Sequence, residues 1–166
     1  MKLNLSTAWA CTLALAALNS AYACGIDDPN AVAQSFFAKH AQFSSENPSK
    51  IKSLVTPRLF DALDREYKCA QGQICAVEAD PWTDAQDGRI GKPVEFATVS
   101  NSGVEATVSM TYPFILDKKP VQKHATLVLQ RGAPTECWLI GDLMGPRGES
   151  FLQAVEKWHK EFGSGS

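Results

Sequence analysis

The chain has 166 residues, of which 45% are hydrophobic and 20% are charged, a balance typical of one globular domain rather than of a disordered chain or a membrane bundle. The 16 Lys and Arg residues against 18 Asp and Glu residues give a formal net charge of -2, so no overall positive field attracts nucleic acid or an anionic membrane. The sequence contains no GxxxxGK[ST], GxGxxG, HExxH or GxSxG motif, which argues against the common nucleotide, metalloprotease and hydrolase sites. We therefore predict no cofactor and no nucleic-acid partner.

The first 23 residues have the pattern of a secretory signal peptide. Lys2 comes before an apolar stretch over residues 13–18, and Ala21-Tyr22-Ala23 matches the small-x-small cleavage rule. The apolar run is shorter than the roughly 18 residues that a membrane-spanning helix needs, so we expect cleavage after Ala23 and export to the periplasm. A lipid anchor on Cys24 is the alternative, although a lipobox has a large aliphatic residue and small residues where this chain has Ala21 and the bulky Tyr22.

Four cysteines follow the predicted cleavage site: Cys24, Cys69, Cys75 and Cys137. An even number of cysteines in an exported protein is typical of disulfide bonds. Of the three pairings that four cysteines allow, we favour a short bridge between Cys69 and Cys75, which leaves Cys24 to pair with Cys137. A metal site is the competing interpretation, but the Cys-x5-Cys spacing is wider than that of a zinc knuckle and no histidine lies near either cysteine.

Three helices are predicted in the first half of the chain. Asp28-Pro29 is a typical start, with Asp as the N-cap and Pro at the first helical position, and apolar residues at helical spacing continue to about Phe43. A short helix is predicted from Pro48 to Val55. Thr56-Pro57 then opens a third helix, whose apolar face consists of Leu59, Phe60, Leu63 and Tyr67.

After Gly91 the apolar spacing changes from the helical period to alternation, which predicts strands over 94–100, 104–112, 121–131 and 137–144. In the second of these the predicted buried residues are Val104, Ala106, Val108, Met110 and Tyr112. The last strand is apolar on both faces, so we expect it to be central in the sheet or covered by a helix. Ser150 caps a final helix.

The fold class is therefore α+β, with three N-terminal helices, a four-stranded antiparallel meander and a C-terminal helix. All these elements fit a single domain over residues 24–162. The last residues, Gly163-Ser164-Gly165-Ser166, have the composition of an added expression linker.

Three segments resemble a known family: Thr56-Pro57-Arg58-Leu59, the stretch from Asp80 to Asp87 that reads Asp-Pro-Trp-Thr-Asp-Ala-Gln-Asp, and Trp138-Leu139-Ile140-Gly141-Asp142-Leu143. With the alternating strands they are similar to a family of exported bacterial proteins catalogued as domain of unknown function 3828. The last segment is shared by domains similar to nuclear transport factor 2 and cystatin. The resemblance spans residues 28–144 and implies a curved sheet wrapped around a long helix, forming a cone with a pocket, but it implies no chemistry.

The irregular stretch over residues 69–92 is the predicted recognition site, because long loops in compact domains are usually functional or covalently held. It contains Glu78 and the predicted binding residues Asp80, Trp82, Asp84, Gln86 and Asp87. The acid spacing does not match a calcium-binding EF-hand loop. The structural alternative is that Asp80 starts a turn, Asp84 or Asp87 caps backbone amides, and Trp82 fills the core.

No catalytic residue is predicted. The histidines His40, His124 and His159 lie in no nucleophile motif, and the cysteines are all assigned to disulfides, which removes the thiolate that cysteine catalysis needs. We expect His124 on the exposed face of its strand and the other two histidines to be partly packed.

The leading hypothesis is a non-enzymatic periplasmic binding module with a protein partner, such as an immunity protein that neutralises a toxin delivered into the periplasm. The alternative is a small hydrolase or isomerase that uses Asp80, Asp84 or Asp142 as its acid.

Overall fold

A computed structural model of the protein describes residues 26–70 and 75–163. The predicted signal peptide, Cys24 and most of the predicted linker lie outside the described residues. The elements in chain order are α1 (Pro29–His40), a 3-10 helix (Pro48–Lys50), α2 (Pro57–Cys69), β1 (Arg89–Ile90), β2 (Glu95–Asn101), β3 (Glu105–Leu116), β4 (Lys119–Gln130), β5 (Leu139–Met144) and α3 (Phe151–Phe162). The predicted α+β class is confirmed. Within the two described ranges, no helix has the length and apolarity to cross a bilayer.

The predicted starts of the long helices are confirmed by their caps. The side chain of Asp28 accepts a hydrogen bond from Asn30 N, that of Thr56 from Leu59 N, and that of Ser150 from Gln153 N. Each cap satisfies a backbone N–H group that has no partner within its helix. These signals are local, which explains why the sequence alone places them correctly.

The helix predicted from Pro48 to Val55 is wrong. The chain makes only the three-residue 3-10 helix there, and Val55 then forms a parallel bridge with Ile140. Thr56 N donates to Ile140 O at 2.9 Å, and Ile140 N donates to Leu54 O at 2.9 Å. Since a residue before proline is biased towards extended backbone, Thr56 is suited to this bridge, and the open edge of β5 supplies the partners.

The sheet is antiparallel and curled, and it is built on the long β3–β4 hairpin. The strand order is β1-β3-β4-β5, and β2 pairs with β3 on the same side as β1. Asp117 and Lys118, with φ angles of 50° and 64°, form the two-residue turn at the predicted position. Among the residues that the structure describes, the sheet has five strands rather than the predicted four. The additional strand, β1, lies inside the stretch predicted to be irregular and exists through its pairing with Ile115 and Phe114.

Strand β5 ends the sheet order rather than lying at its centre, and it is covered by helices, which was the other position expected for it. Its outer edge is closed by the backbone of residues 54–56, and both α2 and α3 pack against it. A register shift opposite Val128 and Leu129 interrupts the pairing with β4. The shift turns Ile140 and Leu143 to the same buried side, while Leu139 and Met144 are only half-buried.

The core lies between the concave side of the sheet, α1 and α2. The predicted buried face of β3 is confirmed from Ala106 to Tyr112, whereas Val104 is exposed. On β4 the matching buried residues are Ala125, Leu127 and Leu129, which were also predicted. α1 ends earlier than predicted, at His40, but Phe43 remains in the core at the end of the following turn.

Candidate functional site

The predicted recognition loop begins at a disulfide bond. Cys69, the last residue of α2, is bonded to Cys75 with a Cα–Cα distance of 6.0 Å, so this predicted pair is confirmed. Cys137 is disulfide-bonded as well, while its predicted partner Cys24 lies outside the described residues. The short bridge places residues 75–77 next to the last turn of α2.

Glu66 holds the chain that follows this disulfide. Its carboxylate is buried; Oε1 accepts from Val77 N at 2.7 Å and Oε2 accepts from Ala76 N at 3.3 Å. His159 of α3 places its Nε2 2.9 Å from the same Oε2. One side chain thus joins α2, the loop and α3. This role was not predicted, although a glutamate at helical spacing from Leu63 on an apolar face indicates it.

Trp82 fills the core at the centre of the loop. Its exposed fraction is 1%, its ring packs edge-on against Phe37 and Phe43, and its Nε1 donates to Ala41 O at 2.7 Å. The buried hydroxyl of Tyr112 donates to Trp82 O. The predicted binding residue Trp82 therefore presents almost no surface to a partner.

Asp80 forms the turn that presents Trp82 to the core. Its Oδ1 accepts from Trp82 N at 2.7 Å, and its backbone pairs with Ala85, which closes the turn. Desolvation raises the pKa of the Asp80 carboxyl, although the residue as a whole is exposed and the N–H groups of Trp82 and Thr83 act in the opposite direction. The ammonium group of Lys123 donates to Thr83 O from the sheet.

Asp84 connects the end of this turn to the segment that follows β5. Its Oδ2 accepts from Arg147 N at 3.0 Å and lies 3.4 Å from Arg147 Nε. A Cβ on Gly145 would lie 2.6 Å from Asp84 Oδ1, so only glycine permits this close approach. Asp142 has a similar structural role, because its carboxylate accepts from Leu152 N at the start of α3 and from the Ser150 hydroxyl.

Asp80, Gln86 and Asp87 are the predicted site residues that are exposed, and Glu78 is exposed as well. A groove of about 430 Å³ runs between residues 76–86 and residues 145–155, with Glu78 and Glu149 on opposite sides. Over residues 26–70 and 75–163, no three His, Cys, Asp or Glu side chains converge on a point that could hold a metal ion.

The three histidines lie apart from one another. His40 Nδ1 is 3.0 Å from Glu46 Oε1, His124 Nδ1 is 2.9 Å from Thr111 Oγ1 on the outer face of the sheet, and His159 contacts Glu66. The exposed position predicted for His124 is confirmed. Each imidazole pairs with a different element, so the structure does not bring them together into one site.

A second concave site, which the sequence analysis did not identify, lies between α1, residues 53–54 and the start of β5. Its volume is about 400 Å³. The lining is mostly apolar, and its polar side chains include Ser35, Lys39, His40 and Ser53. Apolar residues of α1 were predicted at helical spacing, but a gap between elements depends on their separation and leaves no mark in the sequence.

Comparisons of the chain with protein-family models, with curated proteins and with solved structures find no match. The residues of the loop and of the cavity are therefore the basis for assigning a function.

Proposed function

We propose that this protein is a non-enzymatic, periplasmic binding protein that holds a protein partner on the groove between residues 76–87 and the start of α3. The observation that supports this proposal is the preorganised state of the loop. It exposes Glu78, Gln86 and Asp87, while the contacts of Asp80, Trp82 and Asp84 hold it in place.

The loop is held at its beginning, middle and end. The Cys69–Cys75 disulfide and Glu66 hold residues 75–77, Trp82 holds the middle, and Asp84 holds the end. Ordering a flexible loop during association costs free energy, typically about 0.5–1.5 kcal/mol for each immobilised side chain. A loop that is ordered beforehand avoids this cost and presents one geometry to its partner.

The charges of the groove favour a basic partner. Glu78 and Glu149 border it, and Asp87 is exposed close by in the chain. The guanidinium of Arg147, which also lines the groove, already lies 3.4 Å from Asp84 and 3.6 Å from Glu149. Unpaired surface carboxylates steer an oppositely charged partner and increase its association rate. A toxin that enters the periplasm is a partner class consistent with the predicted signal peptide and the resemblance to exported proteins.

A pocket enzyme is the second candidate, and one observation favours it. Desolvation raises the pKa of the Asp80 carboxyl, as expected for a general acid. The carboxylates of Asp84 and Asp142 are instead engaged by backbone N–H groups. An enzyme of this kind would lose turnover in Asp80→Asn, a variant that retains the acceptor for Trp82 N.

The test is a pull-down of a stoichiometric partner from native periplasm, followed by association rates of charge variants with that partner. Removing the exposed charges by Glu78→Gln and Asp87→Asn should slow association several-fold at low salt and flatten its salt dependence. The matched controls are Glu95→Gln and Asp117→Asn, which remove exposed acids from the sheet. Equal effects of the two pairs would contradict the proposed surface.

A further inference from the structure

We propose that the cavity between α1, residues 53–54 and β5 is a binding site for an anionic amphiphile, a molecule with an apolar chain and a carboxylate head. This site is separate from the groove at residues 76–87 and does not depend on the function proposed for it. Its volume of about 400 Å³ falls in the range of small-molecule pockets, about 300–1,000 Å³.

The walls of the cavity fit the apolar part of such a ligand. Their apolar residues include Ile26, Val32, Phe36, Leu54, Trp138 and Ile140, and His40 and Cys137 also line the cavity. Ile26 and Leu54 are each 39% exposed, although both are large hydrophobic residues. A hydrocarbon chain in the cavity would remove their surface from water, which is favourable, whereas a polar ligand would lose its hydration without gaining hydrogen bonds from these walls.

The wall formed by Trp138 is rigid. The indole Nε1 donates to Asp27 O at 2.8 Å, and the guanidinium carbon of Arg131 lies 4.1 Å from the ring centroid. Arg131 is itself held by an ion pair with Asp27. Because these contacts fix the indole in place, a ligand can enter without reorganising this side of the cavity.

The opening of the cavity fits an anionic head group. Val32, Phe36 and Lys39 follow one another at helical spacing on α1 and all line the cavity, so the face that forms the wall also carries the ammonium group, and Lys39 is exposed. In the described part of the chain, Lys39 takes part in none of the ion pairs. His40, the neighbouring base, contacts Glu46. A carboxylate at the opening would supply the missing counter-charge, and the hydroxyls of Ser35 and Ser53 border the same space.

The experiment titrates the disulfide-bonded protein with laurate, dodecanol and dodecyltrimethylammonium and follows binding by calorimetry. The three probes share an apolar chain and differ in head-group charge. We expect laurate to bind most tightly and the cationic probe most weakly. Lys39→Ala should lower the affinity for laurate about three- to fivefold, which corresponds to the loss of an exposed ion pair, and should leave the affinity for dodecanol unchanged. Lys50→Ala, which removes an exposed lysine from the 3-10 helix, is the matched control.

Two further variants test the position of the site. Val32→Trp fills the cavity and should abolish binding of both laurate and dodecanol, whereas Val99→Trp on the exposed face of β2 should bind as the parent protein does. Leu54→Glu provides a second test that does not require the core to accept a larger side chain. It places a carboxylate at the opening and should weaken laurate more than dodecanol.

Two results would overturn the assignment: no saturable binding of laurate to the parent protein, or laurate binding that is unchanged in both Val32→Trp and Leu54→Glu. Association with a basic partner at residues 76–87 should be the same in Lys39→Ala as in the parent protein. The two measurements therefore test the amphiphile site and the partner-binding groove independently of each other.

Discussion

Residues 75–87 and the cavity between α1 and β5 differ in how their side chains are satisfied. In the loop, Asp80 and Asp84 accept hydrogen bonds from backbone N–H groups, and Trp82 is surrounded by aromatic rings. At the cavity, Leu54 remains partly exposed and Lys39 has no ion pair among the described residues. The loop has the aromatic and acidic residues that usually suggest a binding site, yet most of them stabilise the protein. The cavity wall combines core residues, such as Phe36, Trp138 and Ile140, with the partly exposed Ile26 and Leu54, and it is these that leave room for a ligand.

The first prediction separates the two regions by their tryptophans. Trp82→Ala should lower the free energy of unfolding by about 4–5 kcal/mol, and Trp138→Ala by about 3 kcal/mol, within the range for large-to-small substitutions. The difference arises because Trp82 lies in a filled core, whereas Trp138 already borders an open space. Chemical denaturation measures both values.

The control variants lie on the outer face of β3. Thr107→Ala and Ser109→Ala should each change the free energy of unfolding by no more than about 0.5 kcal/mol. Effects as large as those of the tryptophan variants would contradict the strand register.

The second prediction concerns the buried carboxylate that holds the loop. Glu66→Ala should cost about 3 kcal/mol, because it leaves His159 and the N–H groups of Ala76 and Val77 without their shared acceptor. Asp64→Asn, which removes a surface ion pair from the same helix, should change stability by about 0.5 kcal/mol or less. If urea denaturation gave the same loss of unfolding free energy for both variants, Glu66 would not be the residue that links α2, the loop and α3.

The third prediction concerns the disulfide bond between Cys69 and Cys75. The free energy of unfolding of the double variant Cys69→Ser, Cys75→Ser should be lower by about 2 kcal/mol, the value expected in the chain-entropy model for a short closed loop. Its circular dichroism spectrum should be unchanged, since the helices and strands do not depend on this bridge. Partner binding at residues 76–87 should weaken, while laurate affinity at the cavity should stay the same. A parallel loss at both sites would show that the two regions are coupled.

The smallest effect is a pH dependence from Tyr112, which packs beneath the loop. Burial, with smaller contributions from Asp80 and Asp84, raises the pKa of its phenol. The pKa of tyrosine in an unfolded chain is about 10. When folding raises the pKa of such a group, the resulting stabilisation is fully present below the pKa of the unfolded state. It is lost as the pH rises above that pKa, because the unfolded state then releases its proton while the folded state still holds it. Denaturation between about pH 9 and about pH 11 should therefore show falling stability, and Tyr112→Phe should reduce the slope. An unchanged slope would contradict the burial of this hydroxyl.

Much of the fold follows from local patterns. The caps at Asp28, Thr56 and Ser150, the turn at residues 117–118 and the buried face of β3 were predicted, because each depends on residues within a few positions of one another. The predicted bridge between Cys69 and Cys75 also joins near neighbours. The second predicted helix was wrong for the opposite reason, since the backbone of residues 54–56 found its partners more than eighty positions along the chain. The same distant pairing decided between the two positions expected for β5, which lies at the end of the sheet and beneath helices.

The same distinction applies to the candidate sites. Acidic residues and a tryptophan lie close together in the sequence between Asp80 and Asp87. Which of them face inwards depends on contacts with distant residues: Ala41 and Tyr112 bind at Trp82, and Arg147 binds at Asp84. The cavity depends on the packing of the folded chain alone. It is a space between a helix and a strand, and its size depends on how closely their side chains pack rather than on the type of any one residue.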